Sequence, residues 1–287
     1  MLNQDQIEFY AENGYLHLPG ILSAAEVKQL QAATDRLIDF ASDLQVPQPD
    51  YYYIRNPDTG QDILRRINFP GKRAVECQAL YGHPGILAIT EGLLGRDFIV
   101  ADDALVIKMP EYGAPVPWHR DLATGVMHRA SDSLAVVGVD LDASTLDNGA
   151  VYVVPGSHKW DLVDIQDMVD EHGFDIPGAA PVETQAGDVL VHAANLLHAS
   201  RVGRGGRVRR TIYFGTFGID PYMHEYQASD TLVKLQMQYM FRGIQLRRKM
   251  AYSQAEQPFA WKGSDAWQVD LNEADHVEWG VPSARPY

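Results

Sequence analysis

Cysteine, positive charge and long apolar runs are all scarce in this sequence. The one cysteine, Cys77, excludes an internal disulfide. A reducing cytoplasm is therefore the expected location, and Cys77 reads as a small apolar side chain rather than a nucleophile. Lys and Arg number 24 against 38 Asp and Glu, for a formal charge of −14. That balance argues against a nucleic-acid partner, which needs a basic face. No apolar run approaches the ~20 residues of a membrane-spanning helix. Met1 to Tyr10 carries acidic residues and no apolar centre, so no signal peptide is expected. With 287 residues, 46% of them hydrophobic, the chain can bury a large core without staples. One domain over residues 1–287 is the expected organisation, since all-β barrels reach this size and no repeat or linker divides the chain.

Helical and strand-like textures occupy different regions. Residues 3–13 read as a short helix, capped by Asn3 and ended at Asn13-Gly14. Ser23-Ala24-Ala25-Glu26 has capping-box spacing and opens a helix with Val27, Leu30, Leu37 and Ile38 on one face. Residues 46–73, rich in Tyr, Pro and Arg, read as a loop. Residues 84–95 read as helix and stop at Gly95, so the helical N-terminal part spans about 3–95. From 98 to 220, short apolar runs alternate with turn clusters, the pattern of an all-β barrel or sandwich. Strands are expected at Phe98–Val100, Ala104–Met109, Leu134–Leu141, Val151–Val154, Val189–Val191 and Thr211–Phe217. Asp147-Asn148-Gly149 and Pro155-Gly156-Ser157 are turn signals. Residues 158–180 read as a partly helical insertion. The C-terminal part, 221–287, holds a helix over 229–250, which suits a covering face or a contact in a homo-oligomer.

Two segments carry metal-ligand chemistry. The first is Trp118-His119-Arg120-Asp121; the second runs from Gly187-Asp188 through His198 and Ser200 to Arg209. Side chains at i and i+2 on a strand share a face. His119 and Asp121 can therefore reach one ion from a strand end, with Arg120 turned away. His192 and His198 are the local candidates for a third ligand. His198 is preferred because Arg209 follows eleven residues later, across a glycine-rich hairpin at Gly203, Gly205 and Gly206. That hairpin would set the Arg209 strand beside the His198 strand, and His192 reads as a packed strand-end residue. Two imidazoles and one carboxylate leave open positions on iron for a co-substrate and oxygen. An arginine fork suits a carboxylate, and a buried unpaired arginine is costly. The set predicts an iron-dependent oxygenase.

The same segments, in order, resemble the phytanoyl-CoA dioxygenase family of iron(II)- and 2-oxoglutarate-dependent oxygenases. The matching residues are Asn13-Gly14-Tyr15 to Pro19-Gly20, Ser23 to Glu26, Trp118-His119-Arg120-Asp121, Asn148-Gly149, Pro155-Gly156-Ser157-His158, and Gly187-Asp188 through His198-Ala199-Ser200 to Arg209. They span roughly residues 6–218. The resemblance implies a mainly β fold, a double-stranded β-helix (jelly roll, cupin-like) with flanking helices. It implies iron ligands His119, Asp121 and His198, with 2-oxoglutarate and O2 as co-substrates. It also implies that Arg209 binds the distal carboxylate of 2-oxoglutarate, with Ser200 beside it. Arg120 and Ala199 stand where the family often has Gln and Gly, and neither change removes a ligand. Related halogenases carry a small residue where this chain has Asp121, so hydroxylation is expected rather than halogenation.

The expected partner is a small-molecule substrate. Tyr52, Arg65, Arg66 and Trp118 are the candidate substrate residues, the first three on a possible lid. Lys108 reads as a packing residue. A modest, largely apolar metabolite, such as a natural-product intermediate, is expected. A non-oxidative isomerase or lyase, and a binding protein without catalysis, are the alternatives.

Overall fold

The computed structural model describes residues 2–44, 48–121, 133–160 and 165–269. The ends of the expected 1–287 unit and part of the 158–180 insertion lie outside these residues. The chain opens with α1 (Gln4–Asn13), β1 (Tyr15–Leu18), α2 (Ala24–Ser42), β2 (Tyr51–Arg55) and β3 (Asp62–Asn68). It continues through α3 (Val75–Leu80), α4 (Pro84–Leu94), β4 (Phe98–Lys108), β5 (Val116–His119), β6 (Leu134–Asp140) and β7 (Val151–Val153). Then follow α5 (Ile165–His172), β8 (Ala180–Val182), β9 (Val189–Ala193), β10 (His198–Ser200), β11 (Arg209–Gly218), α6 (Ile219–Glu225) and α7 (Asp230–Arg247). A seven-stranded sheet has the order β1-β9-β6-β11-β4-β3-β2, and a four-stranded sheet the order β5-β10-β7-β8. Their pairings are antiparallel. This is a double-stranded β-helix core with helices outside.

Register explains which side of the large sheet is dry. Cross-strand partners share a face, and the next residue along each strand takes the other. Leu18, Val189, Val139, Ile212, Leu105, Ile67 and Tyr51 face one another in a single row across all seven strands. Every member is buried. Helices cover this face: Leu30 of α2, Leu87 of α4, and Val233, Met237 and Met240 of α7 join the same apolar cluster. One residue further on, Asp140, Thr211, Val106, Arg66 and Tyr52 form the neighbouring row on the opposite, inner face.

Several sequence expectations change here. The loop expected over 46–73, of which 48–73 are described, instead contains β2 and β3, which form a hairpin and extend the large sheet. A register shift between Tyr52 and Tyr53 breaks the two-residue alternation that marks a strand in sequence. The runs expected at 98–100 and 104–109 are one strand, bent where Gly215 faces Asp102 and Thr216 faces Val100. Arg209 is not in a hairpin with His198: β11 lies in the large sheet and β10 in the small one. Gly203 and Gly205 instead serve close approach to Asn148. A Cβ on Gly203 would fall 2.6 Å from the Asn148 carbonyl oxygen.

The expected capping box at α2 is half formed. The Ser23 hydroxyl accepts the Glu26 backbone N–H at 3.2 Å. The Glu26 carboxylate instead turns inward and takes two bonds from Arg247 near the end of α7. Arg247 also reaches Glu256, at 2.6 and 2.8 Å. Removing one side of a buried ion pair strands the other charge. Glu26→Ala should cost about 3–5 kcal/mol in urea unfolding. Glu256→Ala, at a more exposed carboxylate, should cost clearly less.

Candidate metal centre

β5 and β10 are neighbours, and His119 faces His198 across them. Their rings lie 4.1 Å apart, centroid to centroid. The backbone N–H of Asp121 donates to the Ala194 carbonyl at 2.7 Å, which holds the end of this segment beside the β9–β10 turn. Each imidazole is anchored on its far side. His119 Nδ1 lies 2.8 Å from the Pro117 carbonyl and His198 Nδ1 2.9 Å from that of Leu196. A carbonyl only accepts, so Nδ1 carries the hydrogen and Nε2 presents a lone pair. Both Nε2 atoms face Asp121, at 3.5 Å from Oδ1 for His119 and 3.7 Å from Oδ2 for His198. One ligand atom from each of the three residues lies within 4.8 Å of the other two. The donor set, two imidazoles and a carboxylate without thiolate, fits iron(II) with positions left open.

A third imidazole stands beside this group. His192 on β9 places Nε2 3.8 Å from Asp121 Oδ2, and its ring centroid lies 4.4 Å from that of His198. Its Nδ1 also meets a carbonyl, that of Ala193, at 3.1 Å. The sequence reading of His192 as a strand-end packing residue missed this role. The signal was parity: Val189 and Val191 point to the helices, so Leu190 and His192 point inward.

The three rings set the charge of the group. Burial alone would raise the Asp121 carboxyl, but His198, His119 and His192 hold it well below the usual carboxylate range. Burial, helped by the neighbouring His119, pushes His198 down to about 3. His192 is also lowered, chiefly by burial. Burial works downward on His119 too, yet its contact with Asp121 leaves it raised overall. The carboxylate is therefore ionised and His119 is the first ring to take a proton.

Arg209 enters from the other sheet. Its Nη1 donates to the Gly149 carbonyl and its Nη2 to the Thr211 hydroxyl, both at 3.1 Å. Thr211 in turn donates to Asp140 at 2.6 Å, and Arg209 Nη2 stands 3.6 Å from the same carboxylate oxygen. Arg209 Nε is buried without a partner among the described residues. Ser200 shares strand parity with His198, two residues back on β10, and is buried. Lys108, the cross-strand partner of Arg209, spends its ammonium on the carbonyls of Ala114 and Arg201 at 2.6 and 2.8 Å. That is the packing role expected of it.

The candidate substrate residues divide. Tyr52 and Arg66 lie in the inner row, and Arg65 stands beside them. Trp118 does not join them. It packs with Val154, Leu197 and Ala199, stacks near Phe174 at 5.2 Å and donates its indole N–H to the Phe174 carbonyl. As the strand neighbour of His119 it must point the other way. Arg120 also leaves the group, donating to the Ser157 carbonyl at 3.1 Å. Asp102 and Tyr213 are inner-face residues that the sequence did not single out. Burial raises Asp102, while Arg66 opposes the rise and Asp121 adds to it, so both charges lie within reach of it.

Known proteins resemble this chain in sequence and in fold. The chain is 25% identical over 235 residues to a "Probable alpha-ketoglutarate-dependent hypophosphite dioxygenase" of Stutzerimonas stutzeri, covering 76% of this chain and 79% of that protein. It is 25% identical over 224 residues to "Dioxygenase lolE1" of Epichloe uncinata, covering 76% and 84%. The crystal structure of AviO1 from Streptomyces viridochromogenes superposes with a TM-score of 0.64 at 26% identity, over 76% of this chain and 96% of that one. That of EvdMO1 gives 0.65 at 27%, over 75% of this chain but only 50% of the longer partner. A family model described as phytanoyl-CoA dioxygenase (PhyH) matches residues 10–211. With that match over most of its length, the chain belongs to the phytanoyl-CoA dioxygenase family and is a 2-oxoglutarate-dependent, non-heme iron dioxygenase.

Proposed function

We propose that this enzyme hydroxylates an unactivated C–H bond of a small organic metabolite, releasing succinate and CO2. His119, Asp121 and His198 hold iron(II), Arg209 grips the distal carboxylate of 2-oxoglutarate, and Ser200 lies beside that carboxylate. The carrying observation is the convergence of three ligand atoms within 4.8 Å, two of them on imidazoles already anchored at Nδ1. Iron, when bound, supplies oxygen activation coupled to decarboxylation of the 2-oxo acid.

The remaining work falls to this chain's own residues. Carbonyls of Pro117 and Leu196 keep the rings in one tautomer and aim. His119, His198 and His192 keep the Asp121 carboxylate ionised at neutral pH. The unpartnered Nε of Arg209 supports the arrival of an anion, since a buried N–H without an acceptor costs about 1–3 kcal/mol. Gly149 and Thr211 keep the guanidinium from rotating away. Relatives bear the names of different substrates, so the substrate has to be read from this chain's own inner face.

Anaerobic titration of metal-free protein with iron(II) and 2-oxoglutarate should give a visible charge-transfer band only when both are present. His198→Ala should abolish the band, and Arg209→Ala should weaken 2-oxoglutarate binding about tenfold to a hundredfold. Turnover that survives Asp121→Ala would sink the assignment. A non-oxidative lyase or a binding protein would form no succinate.

Metal affinity should also follow pH with a defined slope. His119 is raised and His198 is lowered to about 3, so only one ring competes with protons near neutrality. Between pH 8 and pH 5, the logarithm of the iron(II) or cobalt(II) dissociation constant should rise with a limiting slope of about one per pH unit. A slope of about two would mean that both rings must lose protons.

A further inference from the structure

Asp102 is an inner-face carboxylate outside the groups that hold iron and 2-oxoglutarate. Its side of the sheet follows from its neighbours. Asp103 points to the helices, where its carboxylate accepts the Tyr81 hydroxyl and the Gly71 backbone N–H, each at 2.7 Å. Phe214, the cross-strand partner of Asp103, packs edge-on against the Tyr81 ring. Asp102 and Gly215, the next residue in each strand, therefore face inward. One row of cross-strand partners runs from His192 through Val136 and Gly215 to Asp102, over β9, β6, β11 and β4. At the far end of that row His192 stands beside the Asp121 carboxylate. Asp102 thus lies at the level of the metal group, with about 14 Å of sheet between the ends of the row. Arg209 is six residues from Gly215 along β11, about 20 Å away, at the other end of the inner face.

The row leaves open space between its ends. Gly215 contributes no side chain, and Val136, Gly215 and Asp102 are only half-buried, unlike the row that meets the helices. Gly215 also fixes the carboxylate. Its backbone N–H donates to Asp102 Oδ1 at 3.1 Å, and a Cβ on Gly215 would fall 2.3 Å from that oxygen. The bond forms at a β-bulge, since Thr216 faces Val100 and Ala101 is the extra residue. Bulges beside a site re-aim a side chain. Among the described residues Asp102 Oδ2 takes no hydrogen bond, and no cation forms an ion pair with Asp102. A carboxylate withdrawn from bulk water needs a donor or a cation. The other inner carboxylates have theirs: Asp140 accepts from Thr184 and Thr211, and Asp121 meets three imidazoles. Burial raises the Asp102 carboxyl, and a donor at Oδ2 would offset that rise.

We propose that Asp102 Oδ2 accepts a hydrogen bond from a donor group of the substrate, an ammonium or a hydroxyl, and that the rest of the substrate lies over Gly215 and Val136 with its reacting carbon at the metal. The inference rests on the oxygenase reading above. It gives the substrate a polar end, in place of the largely apolar metabolite expected from sequence.

The test uses the full chain with iron(II) and saturating 2-oxoglutarate under anaerobic conditions. Hexylamine, 1-hexanol and hexanoate are titrated at neutral pH by calorimetry and by the shift of the chelate band. Hexylammonium or hexanol should bind, with hexanoate about tenfold weaker or worse. The tighter of the two donors tells an ammonium substrate from a hydroxyl one. Asp102→Asn keeps an oxygen for the Gly215 N–H and removes the charge. It should weaken hexylammonium about tenfold or more and hexanol by a smaller factor. Asp102→Ala should weaken both, and Asp102→Asn carries the test if that variant fails to fold. Iron(II) and 2-oxoglutarate affinities should be unchanged in either variant, which a collapsed site would not allow. The exposed Asp62→Asn is the control and should change nothing. Unchanged donor affinity in Asp102→Asn and Asp102→Ala overturns the inference. A folded, band-forming protein that binds neither donor, or that prefers hexanoate, overturns it too. Absence of the band in wild type counts against the oxygenase reading instead. Calorimetry of the metal-free protein then still decides whether Asp102 holds a donor.

Discussion

The large sheet has to satisfy two solvents with one backbone. Its pleat sends alternate residues to opposite sides, so a row that meets the helices must be apolar, and the row beside it faces the interior of the β-helix. The row Leu18-Val189-Val139-Ile212-Leu105-Ile67-Tyr51 meets the helices. Its neighbour carries Asp140, Thr211, Arg66 and Tyr52. A slip of one residue in any pairing would exchange the two sets. Register is therefore fixed by the core, and the polar inner face is positioned as a consequence.

The metal centre depends on that same registration at the meeting of two sheets. The small sheet contributes His119 and His198, and Asp121 follows β5. The large sheet contributes His192 and Arg209. Asp121 is the junction, with all three imidazoles within 3.5–3.8 Å of its oxygens. Its charge is stable without metal because the rings offset the burial that would otherwise neutralise it. Arg209 and Asp140 repeat the theme further along, with Thr211 between them. Lys108 and Arg120 are buried differently, with their charged groups given to backbone carbonyls.

Much of the site was legible because its spacing is local. His119 and Asp121 stand two apart, and their neighbours announce a strand end. Helices α1 and α4 were bounded by Asn3, Gly14 and Gly95, whose caps are present. The β2–β3 hairpin was not legible, because a bulge destroys the alternation by which strands are recognised. Trp118 looked like a pocket residue through its adjacency to His119, yet adjacency along a strand means opposite faces. Glu26 looked like a capping residue, and its true partner, Arg247, lies 221 residues away.

The sequence by itself determined the ligand types, the order of the motifs and the family. These depend on side-chain chemistry and short spacings, which a linear text preserves. Only the tertiary structure decided that Arg209 reaches the site from a different sheet than His198, that His192 stands beside Asp121, and that Arg66 and Tyr52 lie on the inner face. The reason is that strand order and bulges are set by packing between distant segments. A glycine-rich stretch such as 203–206 reads the same whether it turns a hairpin or slips past a carbonyl to cross from one sheet to the other.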